Sequence, residues 1–397
     1  MEGIFKLVSR IPDNGPIPEY LTPEHAARVR AFHETIPGYA PTPLVSLDDT
    51  AKALGVDKIR VKDESKRFAL NAFKVLGGSY AMGRLLSDRL GLEQPDFSLL
   101  TAPETREKLG DITFVTATDG NHGRGVAWSA ARFGQGSVVY MPFGSADERL
   151  ENIRAAGADA SIIDGNYDDA VRLAAKQAEE KGWLLVQDTA WDGYEDIPQW
   201  IMEGYCTMGL ETLEQLDDAP THIFLQAGVG SMAGAMAGLF TAGLKEKPTI
   251  VIVEPNKADC LFRTAEADDG QLRTVTGNMD TIMAGLACGE PCSIGWEVLK
   301  NTASHFISCP DSAAAFGMRI LGNPAGGDMR IISGESGAAA FGCVASLLTD
   351  PDLARFKEAL GLDEYSRLLF ISTEGDTDRA NYRAITWGGR FSQNYFD

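Results

Sequence analysis

Short apolar runs alternate with amphipathic stretches along most of this chain, and that alternation constrains its fold more than any other feature. "DKIRVKD" reads as a strand and is followed by "VLGGSYAMGRLLSDRLG" with helical spacing. "DITFVTAT" is strand-like, "HGRGVAWSAARFG" a helix closed by glycine, "GSVVYMP" a strand and "ADERLENIRAAG" a helix. "DASIIDG" and "YDDAVRLAAKQAEEKG" repeat the pair before a further strand, "WLLVQD". The second half continues the pattern with "THIFLQAG", "SMAGAMAGLFTAG", "TIVIVEP" and, near the C-terminus, "SRLLFIST". Such alternation predicts an α/β fold with mostly parallel, twisted sheets flanked by helices. The strands fall into two clusters, and 397 residues exceed one small core, so two layers of this kind are expected. The first forty residues are rich in proline and read as an irregular lead-in. It carries one helix, "TPEHAARVRAFHETI", capped by Thr22 with Pro23 in the first position.

Composition narrows the partners. A net charge of −20 repels nucleic acid and anionic membranes and favours a small-molecule partner. No apolar run approaches the roughly 20 residues that span a bilayer. "MEGIFKLVSRIPDNG" lacks an export pattern, so a cytoplasmic location is expected. The six cysteines are scattered, which suits reduced thiols. Only "CGEPC" brings two of them close, and there is no HExxH pattern, so no metal site is expected.

Two motifs compete for the chemistry. "QAGVGSMAGA" sets Gly228, Gly230 and Ala233 in a GxGxxG/A frame between the strand "HIFLQ" and a helix. Glu254, ending "TIVIVEP", stands about 20 residues on, where a dinucleotide fold places its ribose ligand. Taken alone, the region reads as a Rossmann unit binding NAD. Its physical content is narrower: glycines admit an anion close to the backbone, and a helix start offers free N–H groups to any phosphate. "FALNAFKVLGG" sets Lys74 among apolar and small residues. A lysine there either lays its stem on apolar surface with its ammonium in water, or is held dry enough to be a nucleophile.

Pyridoxal 5′-phosphate needs a phosphate cup, a lysine amine, a donor to its phenolate oxygen and a partner for its pyridine nitrogen. Gly228, Val229, Gly230, Ser231 and Met232 offer the cup and Lys74 the amine. Asn121, in "TATDGNHGRG", sits on a strand-to-helix turn. Ser372 and Thr373, in "LLFISTEGDTD", end a strand with two hydroxyls.

"NAFKVLGG", "DGNHGRG", "AGVGS", "GESGAAA" and "STEGDTD", in this order, resemble the fold-type II pyridoxal-phosphate enzymes, the superfamily of tryptophan synthase β and threonine dehydratase. The resemblance runs from about Thr42 onward. Within the superfamily, "RFALNAFK", the aspartate before "GNHG", "QDTAWDGYEDIP" and "MAGLACGEP" are most similar to the diaminopropionate ammonia-lyases.

This resemblance implies a two-domain homodimer. Residues 1–84 and 190–397 would form a large domain with the phosphate cup and the pyridine-nitrogen partner, Lys74 lying near the boundary. Residues 85–189 would form a small domain with the asparagine turn and Asp119. It also implies β-elimination of 2,3-diaminopropionate, in D and L forms, to pyruvate and two ammonia. Lys74 would hold the cofactor as a Schiff base, Asn121 would donate to the phenolate oxygen, and the backbone of Gly228 to Met232 would bind phosphate. Ser372 or Thr373 would meet the ring nitrogen.

Asp119 stands where dehydratases carry a hydroxyl residue. It would attract a second ammonium and accept a proton, or simply cap a helix. Asp188 is a second acidic candidate, or an ordinary strand-end residue. The turn after Asp119, through Gly120, would bind the substrate carboxylate. His122 would add a donor, or hold only backbone partners. Glu335 is expected to shape the pocket, "CGEPC" to lie near its mouth, and the aromatic tail "TWGGRFSQNYF" to pack. The rival activities are a serine or threonine dehydratase of the same fold and an NAD-binding Rossmann protein.

Overall fold

The computed structural model describes residues 5–118 and 120–392; Asp119 lies outside the described residues. Eleven strands are found among them. They are β1 Lys6–Ser9, β2 Leu44–Ser46, β3 Lys58–Asp63, β4 Thr113–Ala117, β5 Gly136–Met141, β6 Asp159–Ile162, β7 Leu184–Leu185, β8 His222–Gln226, β9 Thr249–Pro255, β10 His305–Cys309 and β11 Arg367–Ser372.

Seven strands form one sheet in the order β1-β10-β9-β8-β11-β3-β2, and four form a second in the order β6-β5-β4-β7. The inner strands of the first sheet run parallel, and the second is parallel throughout. This is the α/β architecture that the alternation predicts. β8 is buried along its whole length, as a strand covered on both faces must be. "WLLVQD" pairs only over Leu184–Leu185; the chain then leaves the sheet at Val186, whose amide donates to the Val115 carbonyl at 2.9 Å.

The lead-in is less irregular than its prolines suggest. It supplies β1, antiparallel to β10, and the segment that follows supplies β2, antiparallel to β3. These four- and three-residue edge strands are too short to show a period in the sequence. The expected helix Pro23–Glu34 forms, and the Thr22 hydroxyl accepts from the His25 amide at 3.3 Å. Other helices, among them Asp196–Gln215 and Ala339–Thr349, are buried almost all round and so carry no amphipathic signal.

Where β3 ends, buried charges fix the backbone that leads to Lys74. Lys62 and Arg67 meet Glu211 at 2.7 and 2.8 Å, and Arg67 also meets Glu64 at 2.8 Å. Two cations and two carboxylates balance, and Lys62 donates its remaining hydrogens to the Thr42 carbonyl and to Gln215. Buried ions of this kind hold their geometry because removing one partner strands the others.

Candidate cofactor and substrate site

Lys74 is delivered by a loop whose shape is held from both sides. Phe68, Ala69 and Asn71 all take positive φ, at 48°, 57° and 62°. Arg67 anchors the loop's start through the buried ion network. Its end is stitched to the chain after β11: Ala72 bridges Glu374, and the Phe73 amide donates to the Thr373 carbonyl at 3.2 Å. Lys74 then directly precedes the helix Val75–Leu90. The helix Asn121–Arg132 crosses that helix start closely. A Cβ on Gly125 would lie 2.9 Å from Val75 Cα, so only glycine lets Asn121 come this near to Lys74.

Lys74, Asn121, Asp188, Thr373 and Glu374 line one cavity together with the turn Gly228 to Met232. In that turn Gly230 has φ +100°, and the helix Ser231–Gly243 begins directly after it. The turn is braced from behind. The Cys292 amide donates to the Val229 carbonyl at 2.7 Å, and the Ser231 hydroxyl to the Asp188 carbonyl at 2.6 Å. The amides of Gly228, Val229 and Gly230 have no protein acceptor among the described residues. A helix start adds further N–H groups that its own backbone cannot satisfy. This is a cradle for an anionic phosphate.

Lys74 Nζ forms an ion pair with Asp188 Oδ2 inside the cavity. Asp188 Oδ1 accepts from the Tyr167 hydroxyl at 3.2 Å and from Gln187 Nε2 at 3.3 Å. Burial alone would raise this carboxyl. The charges of Lys74 and His122, with the bonds from Lys74 and Tyr167, outweigh it and hold Asp188 well below the usual carboxylate range. Asp188 thus stands ionised beside the amine. His122 Nε2 donates to the Val186 carbonyl at 2.8 Å, a backbone partner, while its Nδ1 lies 4.0 Å from Asp188 Oδ2.

The two C-terminal hydroxyls separate. Ser372 Oγ donates to Ser333 Oγ at 2.8 Å and does not line the cavity. Thr373 Oγ1 lines it and accepts from Gln226 Nε2 at 3.1 Å, which leaves its own hydrogen to donate.

The remaining expected residues divide between the cavity and elsewhere. Gly120 does not line the cavity, and its amide donates to Thr118 Oγ1 at 2.8 Å, so that N–H is already used inside the turn. Asp119 falls outside the described residues. Glu335 lines a neighbouring cleft instead, accepting from Asn381 Nδ2 at 2.6 Å. Cys288 of "CGEPC" does line the cavity. The aromatic tail is only partly packed: Trp387 is 81% exposed, Phe391 packs against a core cluster, and residues 393–397 lie outside the described residues.

Glu254 overturns the dinucleotide reading. It is buried, and it accepts from the Leu261 and Phe262 amides at 2.9 and 2.6 Å, capping the helix Cys260–Ala267. No ribose can reach a carboxylate committed to that helix end.

Tyr167, Gln226 and Glu374 join the site without having been singled out. Gln226 had a readable signal, a polar residue closing the apolar strand "HIFLQ". Glu374 stood unremarked inside "STEGDTD". Tyr167 opens a helix and had no local signal.

A sequence profile described as "Pyridoxal-phosphate dependent enzyme" matches residues 35–359. The diaminopropionate ammonia-lyase of Escherichia coli is 50% identical over 397 residues, covering 98% of each chain. The chain belongs to the pyridoxal-phosphate-dependent enzymes, in the diaminopropionate ammonia-lyase family of carbon–nitrogen lyases. A crystal structure of the Escherichia coli diaminopropionate ammonia-lyase in complex with D-serine matches with a TM-score of 0.91. It is 47% identical, with 98% of each chain covered. The biosynthetic L-threonine dehydratase of Salmonella typhimurium is more distant, 28% identical over 226 residues, 57% of this chain and 38% of that one. The residues present fit this family's cofactor: unpartnered amides for its phosphate, an amine for its aldehyde, and an amide and a hydroxyl for its ring.

Proposed function

We propose that this pyridoxal-phosphate-dependent lyase eliminates ammonia from 2,3-diaminopropionate of either configuration. The released product hydrolyses to pyruvate and a second ammonia. The observation that carries this reading is the Lys74–Asp188 ion pair set beside the glycine turn. Pyridoxal phosphate, when bound, supplies the electron sink that makes a Cα proton removable.

The chain's own groups do the rest. Lys74 Nζ would anchor the cofactor covalently, and its amine is placed to take the Cα proton on its own face. The β-amino group leaves only if protonated, and Lys74 Nζ, with Asp188 Oδ2 beside it, is placed to pass the proton on. The amides of Gly228 to Met232 would bind the phosphate, Asn121 Nδ2 would donate to the phenolate oxygen, and Thr373 Oγ1 would meet the ring nitrogen. A neutral hydroxyl there leaves the ring less electron-demanding than a carboxylate partner would, which suits elimination.

Asp119 is assigned the substrate's second ammonium and the proton on the opposite face. The D-serine complex of the Escherichia coli relative supports a site that accepts D-configured amino acids. His122 borders the substrate side of Asp188. We take residues 85–189 as the small domain and the remainder as the large one, the enzyme acting as a cytoplasmic homodimer. Among the described residues no helix is long and apolar enough to cross a membrane, and all six cysteines are buried.

The test is product analysis with D- and L-diaminopropionate and with serine. Pyruvate with two ammonia from both diaminopropionate enantiomers, and far less from serine, is expected. Turnover of serine or threonine in preference would make the enzyme a dehydratase. Asp119→Asn should depress one enantiomer more than the other; equal losses would remove the two-face assignment.

A further inference from the structure

Glu374 is 1% exposed and ends three interactions that reach it from different parts of the chain. The Ser336 amide donates to its Oε1 at 3.1 Å. Asn121 Nδ2 and the Thr377 hydroxyl donate to its Oε2, the latter at 3.3 Å. Its backbone bridges Ala72, two residues before Lys74. A carboxylate accepts only, whereas a carboxamide has one accepting and one donating end. Turning the Asn121 amide over would set its oxygen against the Glu374 carboxylate, so the amide is confined to one orientation. An amide nitrogen carries two hydrogens. Glu374 takes one, which leaves the other for the cavity that Asn121 lines.

We propose that Glu374 is a positioning residue for this enzyme: by accepting one hydrogen of the Asn121 amide, it fixes the second toward the cofactor's phenolate oxygen. The inference rests on the role given to Asn121 above.

Glu335, the residue before Ser336, is the other buried carboxyl of this region and is held by the single amide of Asn381. Burial first, and then the Glu374 charge, push Glu335 up to about 7, with Arg149 opposing. Arg149 Nη2 stands 3.5 Å from Thr377 Oγ1 as a donor, which leaves the Thr377 hydrogen for Glu374.

A purely architectural role is the competing account, since Glu374 ties three segments together. The two differ in what happens when Asn121 is absent. The experiment compares holoenzymes of the wild type, Glu374→Gln, Asn121→Ala and the double variant. Pyridoxal-phosphate affinity, the visible absorption band, and kcat and KM on diaminopropionate are measured for each. Glutamine keeps the volume but brings a donor where the carboxylate had only acceptors. Glu374→Gln is expected to lower kcat about 10- to 100-fold and to move the band, with KM changed less than about 3-fold. In the Asn121→Ala background the same substitution should cost less than about 2-fold more.

A Glu374→Gln loss that persists in full without Asn121 would overturn the inference, as would a wild-type band and kcat in Glu374→Gln. Asn121→Ala with unchanged band and cofactor affinity would remove the Asn121 role itself, and this inference with it. Should Glu374→Gln fail to fold, Glu374→Asp retains the acceptor and should keep the wild-type band. A band moved as in Asn121→Ala would then contradict the proposal.

Discussion

Lys74 and Asp188, 114 residues apart in the chain, meet as an ion pair in the cavity that the glycine turn closes. Each arrives at the end of an element of a different sheet: Lys74 from the loop after β3, Asp188 from the segment after β7. The pair sets an amine beside a carboxylate whose charged form that amine favours.

Asp188→Asn removes the acceptor while keeping its shape. The expected result is a loaded enzyme whose kcat is about 100-fold or more below wild type. Activity within a few-fold of wild type would reduce Asp188 to a structural partner. Pairing lowers this carboxyl below its unfolded value, so its share of stability is present above the usual carboxylate range, near pH ~4, and is lost as pH falls through the lower folded value. Urea unfolding followed toward acid should therefore be less steep in Asp188→Asn.

Thr373 and Ser372 part company in the structure, and kinetics should follow. Thr373→Val, which keeps the volume and removes the hydroxyl, is expected to lower kcat about 10-fold and to alter the visible band of the loaded enzyme. Ser372→Ala should leave the band in place and cost mainly stability, roughly 1 kcal/mol for one buried hydrogen bond. The reverse pattern would put Ser372 at the ring nitrogen.

Glu254 gives a stability signature of the opposite sign to Asp188. Burial pushes it up to about 8, against the two amides that favour its charge. The folded state therefore keeps a proton that the unfolded chain releases at lower pH, so stability contributed by this group declines as pH rises toward 8. Thermal unfolding of Glu254→Gln should lose less stability than wild type between pH 5 and 8, values inside that window. Pyridoxal-phosphate affinity should not change, because this carboxyl caps a helix and does not line the cavity.

The buried ion network predicts a large single-site effect. Glu211→Leu leaves Lys62 and Arg67 with one carboxylate between them in a dry interior. Chemical denaturation should show a loss of about 3–5 kcal/mol. A change below about 1 kcal/mol would mean that water reaches the cluster.

Most of the sheet strands were legible as short apolar runs set between helical stretches, though β10 was not singled out. β1 and β2 were not legible, since three or four residues at a sheet edge cannot show a period, and helix Ala339–Thr349 was not, since it is apolar on every side. At the site, Lys74, Asn121 and the glycine turn were marked by local motifs. The choice of Thr373 over Ser372 was beyond local reading, because adjacent residues on an extended segment face opposite ways and only the packing of Ser333 decides which one enters the cavity. Glu374 and Tyr167 act through partners more than a hundred and about 20 residues distant respectively, separations that only the folded chain closes.

Borohydride reduction of the loaded enzyme, followed by proteolysis and mass spectrometry, tests the central claim most directly, because it fixes the cofactor to whichever amine holds it. The account predicts a single pyridoxyl group on the peptide that contains Lys74, and none after Lys74→Ala. A label on any other lysine, or an undiminished label in Lys74→Ala, would contradict it.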